Sequence, residues 1–345
     1  MEIAGKRLGQ GATFIIAEAG VNHNGDLGLA KELIDVAAEA GADAVKFQTL
    51  NASAYISKFA PKARYQKENT DEGESQVEMV RKYELSAAEH TELWRHCQER
   101  RLPFLSTAFD ASGVDFLHEL GVAVYKIPSG EINNTPLLRH IAAKGRPIIL
   151  STGMASIAEV EQAVDVLEST GVREISLLHC VSNYPADPRD ANLRAMDTMS
   201  RAFGLPVGYS DHTKGVEIAV AAVALGAKII EKHFTTDINL PGPDHQASLE
   251  PDELKMMVQS IRNVEQSLGD GRKRPADSEE NTKSVARKSL VATRIIEVGT
   301  VLSEDMLTAK RPGTGVAPNE MKYVLGRRVN KTLEEDEILV WDQLD

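Results

Sequence analysis

The chain has 345 residues, of which 42% are hydrophobic and 26% charged, a balance that excludes wholesale disorder and collagen-like character. Acidic residues outnumber basic ones 51 to 39, for a formal net charge of −12, so we expect no nucleic-acid or membrane partner. The first ten residues lack the apolar stretch of a signal peptide, and two cysteines are too few for a disulfide framework. A cytoplasmic protein of two domains is therefore expected.

Short apolar runs, each followed by residues with helical periodicity, begin near residue 14. They are FIIAEAG (14–20), AVKFQT (44–49), PFLSTAF (103–109), VYKIPSG (124–130), PIILSTG (147–153), ISLLHC (175–180), PVGYSDH (206–212) and IIEKHFT (229–235). Eight such β/α units in roughly 250 residues predict a (β/α)8 TIM barrel. An open doubly wound sheet is the alternative, but AEAGVNHNG matches its Gly-rich nucleotide-binding turn poorly.

The barrel domain is predicted to cover residues 1–270. Residues 271–285 are polar and charged and contain a proline, which indicates a linker. Residues 286–345 carry short β-like runs, a helical candidate at 319–325 and a final strand at 337–342. This pattern predicts a small, mostly β second domain.

The active site of such a barrel lies at the carboxyl ends of its strands, so the residues there form one ring. Lys46 and Gln48 alternate with Phe47 and therefore share a face. The last two runs end in Ser210-Asp211-His212 and Glu231-Lys232-His233. The other strand ends add Glu18, Ser106, Thr107, Lys126, Ser129, Glu131, Ser151, Thr152, His179, Ser182, Asn183 and Tyr184.

This ring predicts an anion pocket, because lysines and hydroxyls bind phosphate or carboxylate through charge-assisted hydrogen bonds. His212 and His233 occupy equivalent places on adjacent strands and are candidate ligands of one divalent metal. In that case Asp211, beside His212, is expected to orient its imidazole.

Two other chemistries remain open at the residue level. A Schiff-base aldolase would use a strand-end lysine, for which Lys46 and Lys126 are candidates. A nucleophilic Cys180 is the weaker idea, because its neighbour His179 points to the opposite face of the strand.

The motifs resemble those of the sialic acid synthase family, the phosphoenolpyruvate-dependent synthases of nine-carbon sugar acids. The matching stretches are AEAGVNHNG (17–25), AVKFQT, APKARYQKENT with ESQVEM (60–79), STAFD, KIPSGEINN, STGM, HCVSNYP, GYSDHT, EKHFT and GPDHQASLEP (242–251). RKSLVATRII and KRPGTG, in the second domain, are similar to the family's antifreeze-like (SAF) domain.

The resemblance implies a TIM barrel followed by a small, mostly β SAF domain. It also implies an enzyme that condenses phosphoenolpyruvate with N-acetylmannosamine and water, giving N-acetylneuraminate and phosphate. A sister synthase that makes legionaminic, pseudaminic or spore-coat sugar acids from another hexose is the alternative. A carbohydrate- or ice-binding module is a remote one.

The family's functional residues carry over to matching positions. The implied metal is Mn²⁺ or Mg²⁺ on His212 and His233, and the implied assembly is a domain-swapped homodimer. The implied phosphoenolpyruvate contacts are Lys46, Thr107, Lys126, Ser129, Ser151 and Ser182, with Asn183 as the alternative to Ser182. The implied sugar contacts are Gln48, Glu131, Tyr184, Asp244 and, from the second domain, Arg311. The predicted catalytic residues are Glu131, Lys126 and Glu18, of which Glu131 would stabilise positive charge or move a proton.

Overall fold

The computed structural model of the chain describes residues 1–3, 5–8, 11–71 and 73–345. Two compact units are present, Met1–Gly269 and Asp270–Asp345. The strands of the first unit's main sheet are β1 (Phe14–Gly20), β2 (Ala44–Thr49), β3 (Phe104–Ala108), β4 (Tyr125–Ile127), β5 (Ile148–Ser151), β6 (Ile175–Cys180), β7 (Val207–Asp211) and β8 (Ile229–His233).

The eight strands are parallel and follow the order β3-β2-β1-β8-β7-β6-β5-β4. The outermost two, β3 and β4, are neighbours in space, so the sheet curls into a barrel. The predicted TIM barrel is confirmed. All eight predicted strands are present, although the segment after β4 turns into a short 3-10 helix at Ser129–Glu131.

Helices follow the strands, and most of them cover the outside of the barrel, whereas the three short helices between residues 52 and 81 belong to the connection after β2. The helices are α1 (Leu27–Ala40), α2 (Ala52–Tyr55), α3 (Arg64–Asn69), α4 (Gln76–Arg81), α5 (Ala87–Glu99), α6 (Ala111–Leu120), α7 (Thr135–Ala142), α8 (Ile157–Ser169), α9 (Ala195–Phe203), α10 (Glu217–Ala224) and α11 (Pro251–Ser267). The ends of α1 show residue types that commonly cap helices. The Asp26 side chain accepts a hydrogen bond from the Leu29 amide at its start, and Gly41 ends the helix with a left-handed φ of 81°.

The inside of the barrel is apolar at one end and polar at the other. Along β1, Phe14 and Ile16 belong to the apolar cluster inside the barrel, whereas Glu18, two residues further on, lines the cavity at the carboxyl end. Two short antiparallel strands, Glu2–Ile3 and Lys6–Arg7, precede the barrel, and Ile3 belongs to the same apolar cluster. The strands therefore carry their polar side chains at the carboxyl end of the barrel and their apolar side chains in its interior, below the cavity.

The second unit has its own small core, which includes Leu290, Leu302 and Leu339. Its elements are α12 (Glu280–Ala286), β9 (Ser289–Ala292), β10 (Leu307–Lys310) and α13 (Met321–Val324), with β9 and β10 antiparallel. The segment predicted as a linker, 271–285, groups with this unit and contains most of α12. The predicted final strand forms only an isolated bridge, between Ile338 and Val291, before a 3-10 turn.

None of the helices in the described part of the chain combines the length and the apolar character that crossing a membrane requires.

Candidate active site

A cavity of about 420 Å³ opens at the carboxyl ends of the barrel strands. Most of the predicted site residues line it: Glu18, Lys46, Gln48, Thr107, Lys126, Ser129, Ser151, Ser182, Tyr184, His212 and His233. Glu231 and Ser210 line it as well; the sequence placed both in the ring but assigned neither a role. Side chains from all eight strands or the loops that follow them therefore meet in one pocket.

Four buried charges form a chain across the floor of this cavity. Lys46 Nζ lies 2.7 Å from Glu18 Oε2 and 3.8 Å from Glu231 Oε2. Lys126 Nζ lies 3.1 Å from Glu231 Oε1, which also accepts a 2.8 Å hydrogen bond from Ser210 Oγ. Strand register brings these groups together, because Glu18 pairs with Lys46 across β1 and β2, and Glu231 with Ser210 across β8 and β7. Two lysines thus share two carboxylates.

The two carboxylates differ in their protonation. Burial raises the pKa of Glu18 to about 7, against the opposing effect of the Lys46 charge. Burial also acts to raise the pKa of Glu231, but the charges of Lys126 and Lys46 outweigh it and hold that pKa below its ordinary value. Glu231 is therefore ionised at neutral pH, while Glu18 is near its midpoint.

The two predicted metal ligands lie side by side, with ring centroids 5.6 Å apart. Burial lowers the pKa of His212 to about 4 and places that of His233 well below its ordinary value, so both imidazoles are neutral at pH 7. His233 Nδ1 is buried and has no hydrogen-bond partner. Neutral imidazoles with an unengaged nitrogen fit a divalent metal. No group of three or more His, Cys, Asp or Glu side chains with metal-binding geometry occurs among the described residues, so other ligands would be water or substrate oxygens.

The expected role of Asp211 is wrong. Its carboxylate accepts from Lys232 Nζ at 2.8 Å and from the Thr213 hydroxyl at 2.8 Å, and both Asp211 and Lys232 are fully buried. His212 Nδ1 instead donates to the carbonyl oxygen of Val181 at 2.7 Å. Alternation along β7 explains the difference, because the residue between Ser210 and His212 must face away from the cavity.

Three side chains converge on Gly153, directly after β5. A Cβ at that position would lie 2.2 Å from Ser182 Oγ, 2.9 Å from Cys180 Sγ and 2.9 Å from Ser129 Oγ. Gly153 N donates to Ser129 Oγ at 2.9 Å. The serine hydroxyls and a backbone amide therefore form one compact cradle.

Between the two candidates on the loop after β6, Ser182 lines the cavity, whereas Asn183 Nδ2 donates to the Pro185 carbonyl oxygen at 3.2 Å. Burial raises the pKa of the Cys180 thiol, which makes it a poor nucleophile. His179 Nε2 donates to the Ala191 carbonyl oxygen at 2.8 Å. A cysteine–histidine pair is therefore absent at this place.

One wall of the cavity comes from the segment around α3 and α4, to which the sequence assigned no site residue. Tyr65, Gln66 and Gln76 line the cavity, and the Tyr65 ring lies 5.1 Å from that of Tyr184. Tyr184 in turn lies 4.1 Å from His212, between ring centroids. The only sequence signal for this wall was the family resemblance of residues 60–79, because hydrophobic periodicity does not predict where a loop packs.

Two predicted site residues of the first unit do not line the cavity, and a third predicted site residue lies in the second unit. Glu131 Oε2 accepts from Asn134 Nδ2 at 2.6 Å, at the start of α7. Asp244 is buried beside the barrel mouth, where desolvation raises its pKa to about 7. Arg311 belongs to the second unit, where its Nε donates to the Ala286 carbonyl oxygen at 3.1 Å.

Known proteins are similar to this chain over nearly its whole length. The chain is 51% identical over 329 residues to the N,N'-diacetyllegionaminic acid synthase of Campylobacter jejuni, covering 95% of this chain and 98% of that one. It is 39% identical over 339 residues to the human N-acetylneuraminate-9-phosphate synthase, with 98% and 94% coverage.

A crystal structure of the N-acetylneuraminic acid synthetase of Leptospira borgpetersenii, in complex with citrate, superposes with a TM-score of 0.72 at 40% identity. That match covers 82% of this chain and 94% of the other. The model of the NeuB family matches residues 33–273, and that of the SAF domain matches residues 287–345. The resemblance read from the motifs is confirmed, and the chain belongs to the NeuB family, with a SAF domain after its barrel.

Proposed function

We propose that the chain is a nonulosonic acid synthase, which condenses phosphoenolpyruvate with an open-chain N-acylated hexosamine and water and releases phosphate. The observation that carries this proposal is the joint presence of two buried lysines, a serine cradle and two neutral histidines in one cavity. The names of the relatives at 51% and 39% identity support it.

For the sugar, N,N'-diacetyllegionaminate synthesis has better support than N-acetylneuraminate synthesis, the first expectation from the motifs. The relative at 51% identity is named for the former product. Among the described residues that line the cavity, Lys46 and Lys126 are the only Lys or Arg side chains, and both are needed for phosphoenolpyruvate. Among these lining residues a hexose that is itself phosphorylated would find no further cation, which favours an uncharged 6-deoxy diacetamido sugar; the predicted contact from Arg311 of a second copy would then be to sugar oxygens.

Phosphoenolpyruvate carries about three negative charges, which Lys46 and Lys126 are placed to receive. The hydroxyls of Ser129 and Ser182 would donate to phosphate oxygens from one side, with Ser129 Oγ held in place by the hydrogen bond that it accepts from the Gly153 amide. The metal proposed on His212 and His233, Mn²⁺ or Mg²⁺, would supply Lewis-acid polarisation of the sugar aldehyde when bound.

The reaction balances as follows. The C3 carbon of phosphoenolpyruvate forms a bond to C1 of the aldehyde, whose oxygen gains a proton and becomes a hydroxyl. The C2 carbon, which carries the phosphate ester oxygen, becomes electron-poor. A water oxygen adds to C2 and loses a proton, and the tetrahedral intermediate then expels phosphate to leave a 2-keto acid. The protein's task is to hold both substrates in line and to stabilise the charge on C2.

The test is phosphate release from phosphoenolpyruvate and Mn²⁺ with three sugars: N-acetylmannosamine, its 6-phosphate, and the 2,4-diacetamido-2,4,6-trideoxy hexose. We expect the highest kcat/KM with the last sugar. Lys126→Ala serves as the background control, since contaminating phosphatases would be unaffected by it. No phosphate release with any sugar would contradict the reaction class, and preference for the 6-phosphate would contradict only the sugar.

A further inference from the structure

Glu231 places a buried carboxylate in contact with both lysines of the cavity, Lys46 and Lys126. Its side chain is buried, and its Oε1 is engaged by Lys126 and Ser210. Its Oε2 lies 3.8 Å from Lys46 Nζ and has no hydrogen-bond partner. Because Glu231 also lines the cavity, a carboxylate is placed between the two cations where an anionic substrate must bind.

The structure of phosphoenolpyruvate indicates which of its atoms would lie nearest to the Glu231 carboxylate. Its C2 carbon carries both anionic groups, the carboxylate directly and the phosphate through the ester oxygen. If Lys46 and Lys126 each hold one anionic group, C2 lies between the lysines. Glu231 is the carboxylate that contacts both lysines, so it is the acidic residue closest to that carbon.

The other acidic residues fit this position less well. Glu18 forms an ion pair with Lys46, at 2.7 Å, whereas the ion pair of Lys126 is with Glu231. Glu131 is held by Asn134 Nδ2 and does not line the cavity. The position between the two lysines therefore belongs to Glu231.

A buried carboxylate acts in opposite directions on the two states of this reaction. It repels the anionic substrate in the ground state, and this lowers affinity. When C3 attacks the aldehyde, C2 becomes positively charged, and the same carboxylate attracts it. Interactions that are stronger in the transition state than in the ground state are those that accelerate the chemical step.

We propose that Glu231 is a catalytic residue, whose carboxylate stabilises the positive charge on C2 and weakens phosphoenolpyruvate binding in the ground state. This assignment rests on the proposed function. The assignment also predicts the direction of a change in affinity. If Glu231 only held the lysines in place, it would strengthen phosphoenolpyruvate binding, whereas a carboxylate that faces C2 weakens it.

The experiment compares Glu231→Gln, Glu231→Asp and the wild type. Phosphoenolpyruvate binding is measured by calorimetry with Mn²⁺ and without sugar, and kcat from phosphate release. Glu231→Gln keeps the shape and the hydrogen bonds but not the charge; we expect it to bind phosphoenolpyruvate about tenfold more tightly. Its kcat should fall by about 10² to 10³, the usual effect of removing one preorganised electrostatic group. Glu231→Asp keeps the charge, so its affinity should equal that of the wild type and its kcat should lie between the other two.

Asp43→Asn is the matched control. Asp43 is also a buried carboxylate between two cations, Lys6 and Arg262, but it lies at the opposite end of the barrel, before β2. It should lower thermal stability without changing phosphoenolpyruvate affinity. If Glu231→Gln does not fold, the kcat of Glu231→Asp decides, because a wild-type kcat there would overturn the proposal.

Weaker phosphoenolpyruvate binding by Glu231→Gln, or an undiminished kcat, would show that Glu231 only anchors the lysines and would overturn the assignment. A wild type that releases no phosphate with any of the three sugars would instead refute the proposed function. The two failures are therefore distinguishable.

Discussion

His212 Nδ1 donates a 2.7 Å hydrogen bond to the carbonyl oxygen of Val181. A carbonyl oxygen can only accept, so this bond places the ring hydrogen on Nδ1 and leaves the lone pair on Nε2, which lies 3.4 Å from Ser210 Oγ inside the barrel. A backbone carbonyl on the imidazole nitrogen opposite the metal is a common arrangement for histidine ligands. This hydrogen bond therefore leaves His212 in the tautomer that the proposed metal site requires.

Turnover should therefore require a divalent cation. We expect exhaustive chelation to abolish phosphate release and added Mn²⁺ to restore it, because the neutral imidazoles of His212 and His233 are the predicted ligands. His212→Ala and His233→Ala should each lose calorimetric Mn²⁺ binding while keeping their circular dichroism spectra. Full activity after chelation, or undiminished Mn²⁺ binding by both variants, would contradict this prediction.

Lys46→Ala and Lys126→Ala should each weaken phosphoenolpyruvate binding far more than sugar binding. Both lysines are buried at the floor of the cavity, where losing a charge-assisted contact costs roughly 1.5–3 kcal/mol, or about ten- to a hundredfold in affinity. Lys144→Ala, which removes a surface ion pair with Asp115, is the control and should change neither constant. A borohydride-trapped adduct on Lys46 or Lys126, detected by mass spectrometry, would instead establish a Schiff base.

Gly153→Ala should damage the serine cradle. The added methyl group would lie 2.2 Å from Ser182 Oγ, so the hydroxyls must move apart. Overpacking of this kind costs typically 1–3 kcal/mol, and we expect phosphoenolpyruvate affinity to fall about tenfold or more. Gly130→Ala is the matched control, because Gly130 also lines the cavity but a Cβ there meets no atom within 4 Å. Equal affinities of the two variants, measured by calorimetry, would contradict the cradle.

Acid should destabilise the fold through buried neutral histidines such as His23. Burial lowers the pKa of His23 from 6.5 to about 4, so its contribution to stability is complete above pH 6.5 and is lost as the pH falls towards 4. A shift of this size corresponds to roughly 3 kcal/mol. In His23→Asn, the difference in free energy of unfolding between pH 7 and pH 4.5 should shrink; His140→Asn, a partly exposed histidine on α7, serves as control. An unchanged difference in His23→Asn would show that another group dominates.

The SAF-domain residue Arg311 is predicted to complete the cavity of a second copy of the chain. If so, mixing Arg311→Ala with His233→Ala, each nearly inactive alone, should restore at most about a quarter of wild-type activity, because one site in each mixed dimer carries neither lesion. Size-exclusion chromatography with light scattering would establish the dimer, and mass spectrometry the subunit exchange. Proven exchange without recovery would place Arg311 outside the site of the partner.

Much of this molecule follows from local sequence patterns. Apolar runs of strand length that alternate with amphipathic helices specify a parallel barrel, and the barrel places every strand end on one ring. Period-two alternation put Lys46 and Gln48 together and Phe47 on the other face, where its ring stacks on Phe104. The same rule, applied to β7, would have turned Asp211 away from the cavity.

The tertiary structure decided what each polar side chain contacts. The bridge that Glu231 makes between Lys46 and Lys126 joins three strands far apart in sequence, so it depends on register and not on any local pattern. The contact of Glu131 with Asn134 and the placing of Tyr65 against Tyr184 depend on loops, whose conformations no hydrophobic period specifies. Sequence periodicity predicts the face of the sheet on which each strand residue lies, because the pleat of a strand is a local property. Which side chains each residue contacts on that face depends on long-range packing.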